Sequence, residues 1–268
     1  MGRFLEVDGE RVHVVESGSG PPVLLIHGFP SNSTAFALLM PRLAARHTMV
    51  AVDMVGFGGS TRRPRRPLDG ATFADRLAAL LDALGPGWYR PDVVGLSWGG
   101  SVAQRLAARH PQRVRRLALL APVSAAKVLP LSTVNLLGLA LAIRVPAVGR
   151  LAVRRFLGRM PDVPPADVDA LVRGYTDPLR RPGTLAALRR FVRDTASTPP
   201  IALDGIRAPT LVVVPEADRV VPPADGYAIA AAIPGARLER LAGVGHALQF
   251  EAADRVAALL DQFLGEEP

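Results

Sequence analysis

Apolar positions along the chain fall into two alternating rhythms. Short, largely apolar runs at 23–26, 49–52, 92–96, 116–120 and 210–214 suit strands of a buried sheet, 23–26 being continuous enough to be covered on both faces. Between them, 34–45, 72–84 and 98–109 repeat their apolar residues at helical spacing, and the second stops ahead of Gly85-Pro86. Before this series, 4–7 and 11–15 predict a hairpin across Asp8-Gly9. After it, 224–232 predicts a helix, 237–241 a strand and 250–263 a closing helix. From 122 to 200 the alternation stops, leaving helical periodicity broken by prolines and no buried strand run. The fold class is therefore α/β: a mostly parallel sheet with helices on both faces, built from residues 1–121 and 201–268, with 122–200 inserted as a helical cap. Ligands of such open sheets bind outside the carboxyl ends of the strands, where the cap would lie.

Composition narrows the chemistry. A chain of 268 residues that is 49% apolar can bury a full core. With no cysteine, it has no disulfide framework, thiol nucleophile or cysteine metal site. The five histidines show no metal-ligand spacing. The opening Met1–Glu6 lacks a signal-peptide pattern, and Glu6 stands where myristoylation needs Ser or Thr, which points to a cytoplasmic protein.

The formal net charge of +8 is almost entirely arginine, Lys127 being the one lysine, and residues 122–200 alone carry +7. Within them, 128–143 has only Ser132, Thr133 and Asn135 as polar side chains, a run too short to span a bilayer. A basic segment with an apolar face can lie on an anionic membrane, although apolar residues there serve equally to line a substrate pocket. Either role points to an apolar substrate. The basic loop 61–67 lacks an aromatic platform or recognition helix, so it is read as a solvated linker and no nucleic-acid partner is expected.

The catalytic candidates sit where strands end. Gly95-Leu96-Ser97-Trp98-Gly99 follows the run 92–96 and opens a helix, the strand–turn–helix setting in which G-x-S-x-G exposes a nucleophilic serine on a strained turn. His27-Gly28-Phe29-Pro30 ends the run 23–26. The Phe29 and Trp98 N–H groups are the candidate oxyanion hole, and His27 is read as a brace of its loop. Asp218, after 210–214, and His246, in the glycine-flanked Gly243-Val244-Gly245-His246, complete the chain order Ser…Asp…His. Glu216 is the rival carboxylate. Gly56-Phe57-Gly58-Gly59-Ser60 lacks dinucleotide-fingerprint spacing and reads as a turn.

These motifs, with Asp53–Ser60, Val221-Pro222 and Gly100, resemble the α/β-hydrolase superfamily over almost the whole chain. The resemblance implies an eight-stranded sheet, a helical cap after the sixth strand and no cofactor. Haloalkane dehalogenases and epoxide hydrolases use an aspartate where this chain has Ser97. Proline iminopeptidases continue with serine where it has Gly100. Carbon–carbon bond hydrolases, enol-lactonases, monoacylglycerol-lipase-like esterases and polyester depolymerases stay open, the Ser-Trp-Gly-Gly run being most similar to the last. The expected activity is serine hydrolysis of a hydrophobic ester, lactone or acylglycerol through an acyl-enzyme on Ser97. Carbon–carbon hydrolysis, a lyase or cyclase, and a ligand binder are the alternatives.

Overall fold

The structure, a computed structural model, describes residues 2–126 and 144–266. The apolar run 128–143 lies outside the described residues. One eight-stranded sheet runs in the order β1-β2-β4-β3-β5-β6-β7-β8. Strands β1 (Gly2–Val7) and β2 (Glu10–Ser17) form the predicted antiparallel hairpin. Asp8 and Gly9 take φ of 52° and 73°, the two positive values that a two-residue turn matched to strand twist requires. Strand β2 pairs antiparallel with β4 (Thr48–Val52). Strands β3 (Pro22–Ile26), β5 (Asp92–Leu96), β6 (Leu117–Leu120), β7 (Thr210–Pro215) and β8 (Arg237–Leu241) extend the sheet in parallel with β4.

Strand alternation splits the core in two. On β3, Leu24 and Ile26 pack with Phe73 of α2 (Gly70–Leu84) and Val102 of α3 (Trp98–Arg109). Val23 and Leu25 face the other way, in the cluster that holds Leu39 of α1 (Leu39–Leu43) and Leu260 of α9 (Ala253–Gly265). The chain leaves β3 toward β4 and leaves β5 toward β6, in opposite directions along the sheet. The carboxyl ends of β3 and β5 therefore flank the crevice where open sheets bind ligands.

Three sequence expectations are corrected. The helix expected at 34–45 is a 3-10 turn, Ser33–Phe36, followed by the separate α1. Proline inside a continuous helix would clash with the carbonyl four residues back, and starting α1 at Leu39 puts Pro41 in a first turn, where no N–H is needed. The closing helix is divided at Ala252, φ −149°, into α8 (Leu248–Glu251) and α9. The loop 61–67 is not simply solvated. Arg62 is buried, donating to the carbonyls of Ser60 and Pro178 and to Thr184 Oγ1, and burial beside Arg181 lowers its pKa to about 10.

Between β6 and β7 the described residues form α4 (Pro146–Leu157), α5 (Val168–Thr176) and α6 (Thr184–Ala196), with no strand among them. Helix α7 (Pro223–Ala232) joins β7 to β8. No helix among the described residues is long and apolar enough to cross a membrane.

Candidate active site

Ser97 sits between β5 and α3 at φ 54°, ψ −121°, a left-handed position that costs a non-glycine residue on the order of 1 kcal/mol or more. The surroundings hold it there. The Ser97 N–H donates to Leu120 O, and Ser97 O accepts from Gly100 and Val123. The turn is so tight that a Cβ at Gly95 would lie 2.7 Å from Gly100 Cα, and one at Gly99 2.3 Å from Ile26 O. That contact explains why the residues two before and two after the serine are glycines.

The structure brings Ser97, His246 and Asp218 together. His246 Nε2 lies 3.0 Å from Ser97 Oγ, and His246 Nδ1 lies 2.7 Å from Asp218 Oδ2. Asp218 Oδ1 accepts the N–H groups of Val220 and Val221 at 2.7 and 2.9 Å, so the loop after β7 holds the carboxylate independently of the imidazole. With Asp218 accepting at Nδ1, the free lone pair of neutral His246 is at Nε2, facing the hydroxyl. Glu216 is turned elsewhere: its Oε1 accepts from Arg240 and from the Tyr227 hydroxyl.

The Phe29 and Trp98 N–H groups donate to no other described residue. His27 orients the first of them. Its Nε2 accepts the Met54 N–H at 3.1 Å, which leaves Nδ1 protonated to donate to Gly28 O at 2.8 Å. Since peptide C=O and N–H point in opposite directions, holding the Gly28 carbonyl turns the Phe29 N–H away from His27. Burial lowers the His27 pKa, which keeps the ring neutral. The brace reading of His27 fits these contacts.

Asp53 organises the loop beside it. Its Oδ1 accepts the Ser33 N–H, and its Oδ2 contacts His13 Nδ1 and the Gly59 N–H. Burial would raise its pKa, but the His13 hydrogen bond and the two backbone donors outweigh it and hold the carboxyl at about 2. The stretch Gly56–Ser60 is the expected turn, with Ser60 Oγ donating to Asp53 O.

An aromatic seam backs the two amides. Phe191 of α6 stacks on Phe29 with centroids 4.5 Å apart and meets Trp98 edge-on at 4.6 Å, while Trp98 also contacts Phe73. The Trp98 ring is thus core packing, so the Ser-Trp-Gly-Gly likeness carries no substrate information.

A cavity of about 260 Å³ opens beside Ser97 and His246, lined mainly by apolar side chains that include Phe29, Val153, Phe156 and Phe250. Three polar residues also line it, Ser31, Tyr175 and Gln249. Gln249 Oε1 is buried without a hydrogen-bond partner, which costs on the order of 1–3 kcal/mol. Sequence reasoning missed these three, since nothing in their spacing marks them. It also missed Glu251, whose carboxylate accepts the N–H groups of Gly245 and Ala247 on either side of His246. A carboxylate five residues after a loop histidine was the available signal. Among the described residues, no group of three histidines or carboxylates could hold a metal ion.

The profile of the alpha/beta hydrolase fold family matches residues 21–253. A 2-hydroxymuconate semialdehyde hydrolase of Pseudomonas sp. (strain CF600) is 34% identical over 99% of the chain and 94% of its own length. A pimeloyl-(acyl-carrier protein) methyl ester esterase of Neisseria meningitidis serogroup B is 34% identical over 90% of the chain and 92% of its own length. Among solved structures, a membrane phospholipase A described as a bacterial virulence factor superposes with a TM-score of 0.79 at 25% identity, covering 98% of this chain and 85% of the other.

Proposed function

The chain belongs to the α/β-hydrolase family, and from that premise we propose that it is a serine hydrolase of uncharged apolar esters or lactones, with Ser97 as nucleophile. The observation that carries the reading is the continuous contact from Ser97 Oγ through His246 to Asp218 at the mouth of an apolar cavity. His246 Nε2 takes the hydroxyl proton as Oγ attacks the carbonyl carbon, while the Asp218 carboxylate stabilises the imidazolium. The Phe29 and Trp98 amides receive the developing oxyanion. His246 returns the proton to the leaving alkoxide, giving an acyl-enzyme, and then deprotonates the water that releases the acid. The described helices of the 122–200 insertion act as the cap over this site, Val153 and Phe156 of α4 walling the cavity from that side.

One feature favours esters and lactones over the substrate named for the Pseudomonas relative. Hydroxymuconate semialdehyde carries a carboxylate, and no arginine or lysine among the described residues lines the cavity. Desolvating a carboxylate without a counter-charge is expensive, whereas a methyl ester or lactone suits such a wall.

Ser97→Ala tests the reading. The wild type is expected to label with a fluorophosphonate and hydrolyse p-nitrophenyl butyrate, and the variant to lose about three or more powers of ten in rate. Undiminished hydrolysis by folded Ser97→Ala would overturn it. A panel of esters, lactones and dienoate ketones then separates ester from carbon–carbon chemistry.

A second reading rests on α4. Val148, Leu151 and Phe156 are exposed on a helix that also carries Arg150, Arg154 and Arg155. Phe156 lines the cavity as well, so the cavity mouth adjoins this apolar, basic face. This placement suits peripheral contact with an anionic membrane that delivers apolar substrate.

A further inference from the structure

Helix α4 presents two different faces. Val153 and Phe156 line the catalytic cavity, whereas Arg150, Leu151 and Arg154 line a second, open groove of about 480 Å³. At about 100° per residue these two sets point more than a right angle apart, so the groove is separate from the site at Ser97. Helix α5 forms its other wall with Asp169, Val172 and Arg173. Three guanidiniums from two helices therefore line the groove with one carboxylate. Arg154 pairs with Asp169, and Arg150 pairs with Asp177 at 3.1 Å. The Arg173 guanidinium has no hydrogen bond or ion pair among the described residues. The Arg150 and Arg154 side chains are 46% and 58% exposed, and Arg173 is exposed too, so a ligand reaches all three from solvent.

We propose that this groove binds the phosphate group of an amphiphile, with Arg150, Arg154 and Arg173 around the phosphate and Leu151 beside the apolar portion. Guanidinium forks match phosphate oxygens in pairs, and three forks from two helices exceed what the two oxygens of a carboxylate can use. Exposed ion pairs contribute little, so an incoming phosphate draws Arg150 and Arg154 from their aspartates at small cost, while Arg173 needs no release. A bare phosphate ion would fill only a fraction of the groove. The rest is bordered by Leu151, which is 48% exposed, and by Val172, a wall suited to carbon. A phospholipid headgroup with the start of its chains has this make-up. The site goes beyond the membrane contact read from α4, which needs only summed charge and apolar area, and it does not depend on the chemistry at Ser97.

Calorimetric titration of the whole protein with dihexanoyl phosphatidylglycerol, below its micelle concentration and at fixed ionic strength, should show one saturable site. Arg173→Gln should weaken it about tenfold, the loss of roughly one charge-assisted hydrogen bond. Arg173→Lys should weaken it nearly as much, because the charge stays while the fork is lost. Arg155→Gln makes an equal charge change on an exposed part of α4 outside the groove, and should leave the affinity nearly unchanged. Inorganic phosphate should compete, but far more weakly than the lipid. Equal affinity for the two would make the ligand a free phosphate and overturn the amphiphile. Binding of neither, or equal weakening by Arg155→Gln and Arg173→Gln, would overturn the site. If phosphatidylglycerol vesicles still sedimented with the protein in that last case, the membrane contact would survive as general attraction. Saturable binding of the dissolved lipid that Arg173→Gln abolishes, without any vesicle binding, would support the groove and end the membrane reading.

Discussion

Glu251 reaches back across His246 to hold the peptide on both sides of it, Gly245 N–H at 2.7 Å and Ala247 N–H at 3.0 Å. Asp218 orients the imidazole from its ring, while Glu251 fixes the backbone that carries it. In Glu251→Gln one acceptor becomes an NH₂ facing an N–H donor, so one brace is lost and the other strained. We expect kcat to fall on the order of ten- to a hundredfold, because small displacements of a reacting group have large effects on rate. KM should change little, because Glu251 is not among the cavity wall residues, and steady-state kinetics on p-nitrophenyl butyrate measure both. Asp53 makes a different prediction. Its folded pKa of about 2 lies below the ordinary 3.8, so folding favours the ionised form. The stabilisation is complete above the ordinary value and is lost as pH falls through the folded one. It amounts to about 2 kcal/mol, disappearing between about pH 4 and pH 2. Urea midpoints followed across that window should show the gap between wild type and Asp53→Asn shrinking by this amount, and a constant gap would contradict it.

Phe191 joins helix α6 to the amide-bearing loops. Phe191 is fully buried and touches Phe29, Phe57 and Trp98, the flanks of both candidate oxyanion donors. Phe191→Ala should destabilise the protein by about 3–5 kcal/mol in urea unfolding. It should also reduce kcat more than Phe191→Leu, which keeps most of the volume. Such long-range contacts mark the limit of what periodicity reveals. Helix α2, with Asp69 capping Thr72 and Gly85 following its end, was legible because its stop and start signals are local. Around α1, apolar spacing predicts one helix over 34–45, and Pro41 overrides it. The division at Ala252 has no proline or glycine beside it to mark it in the sequence. Arg62 reads as solvated because its partners Pro178 and Thr184 lie more than a hundred residues away.

Across the whole molecule, the groups that meet at Ser97 were legible because each ends a strand in a motif with its own steric logic. The residues that shape the cavity were not, since Ser31, Tyr175 and Gln249 converge from distant elements with no sequence period in common. Charge distribution lies between these cases. Residues 144–196 hold eleven arginines against five aspartates, a surplus visible in the sequence, whereas its setting beside an exposed apolar face is a property of the fold. Leu151 is 48% exposed, and α4 buries Leu157 instead. Arg150 pairs with Asp177 and Arg154 with Asp169, but exposed pairs of this kind contribute little and leave the arginines able to face anionic headgroups. Each basic residue near such a surface adds about 1 kcal/mol of attraction, within a screening length of about 10 Å at 0.1 M salt. The protein should therefore sediment with phosphatidylglycerol vesicles at low ionic strength, weaken as salt rises, and bind phosphatidylcholine vesicles less. Leu151→Asp should reduce binding at every salt concentration, because it removes apolar area and adds a repelled charge. Absence of sedimentation with the anionic vesicles at low salt would rule out the membrane contact while leaving the chemistry at Ser97 untouched.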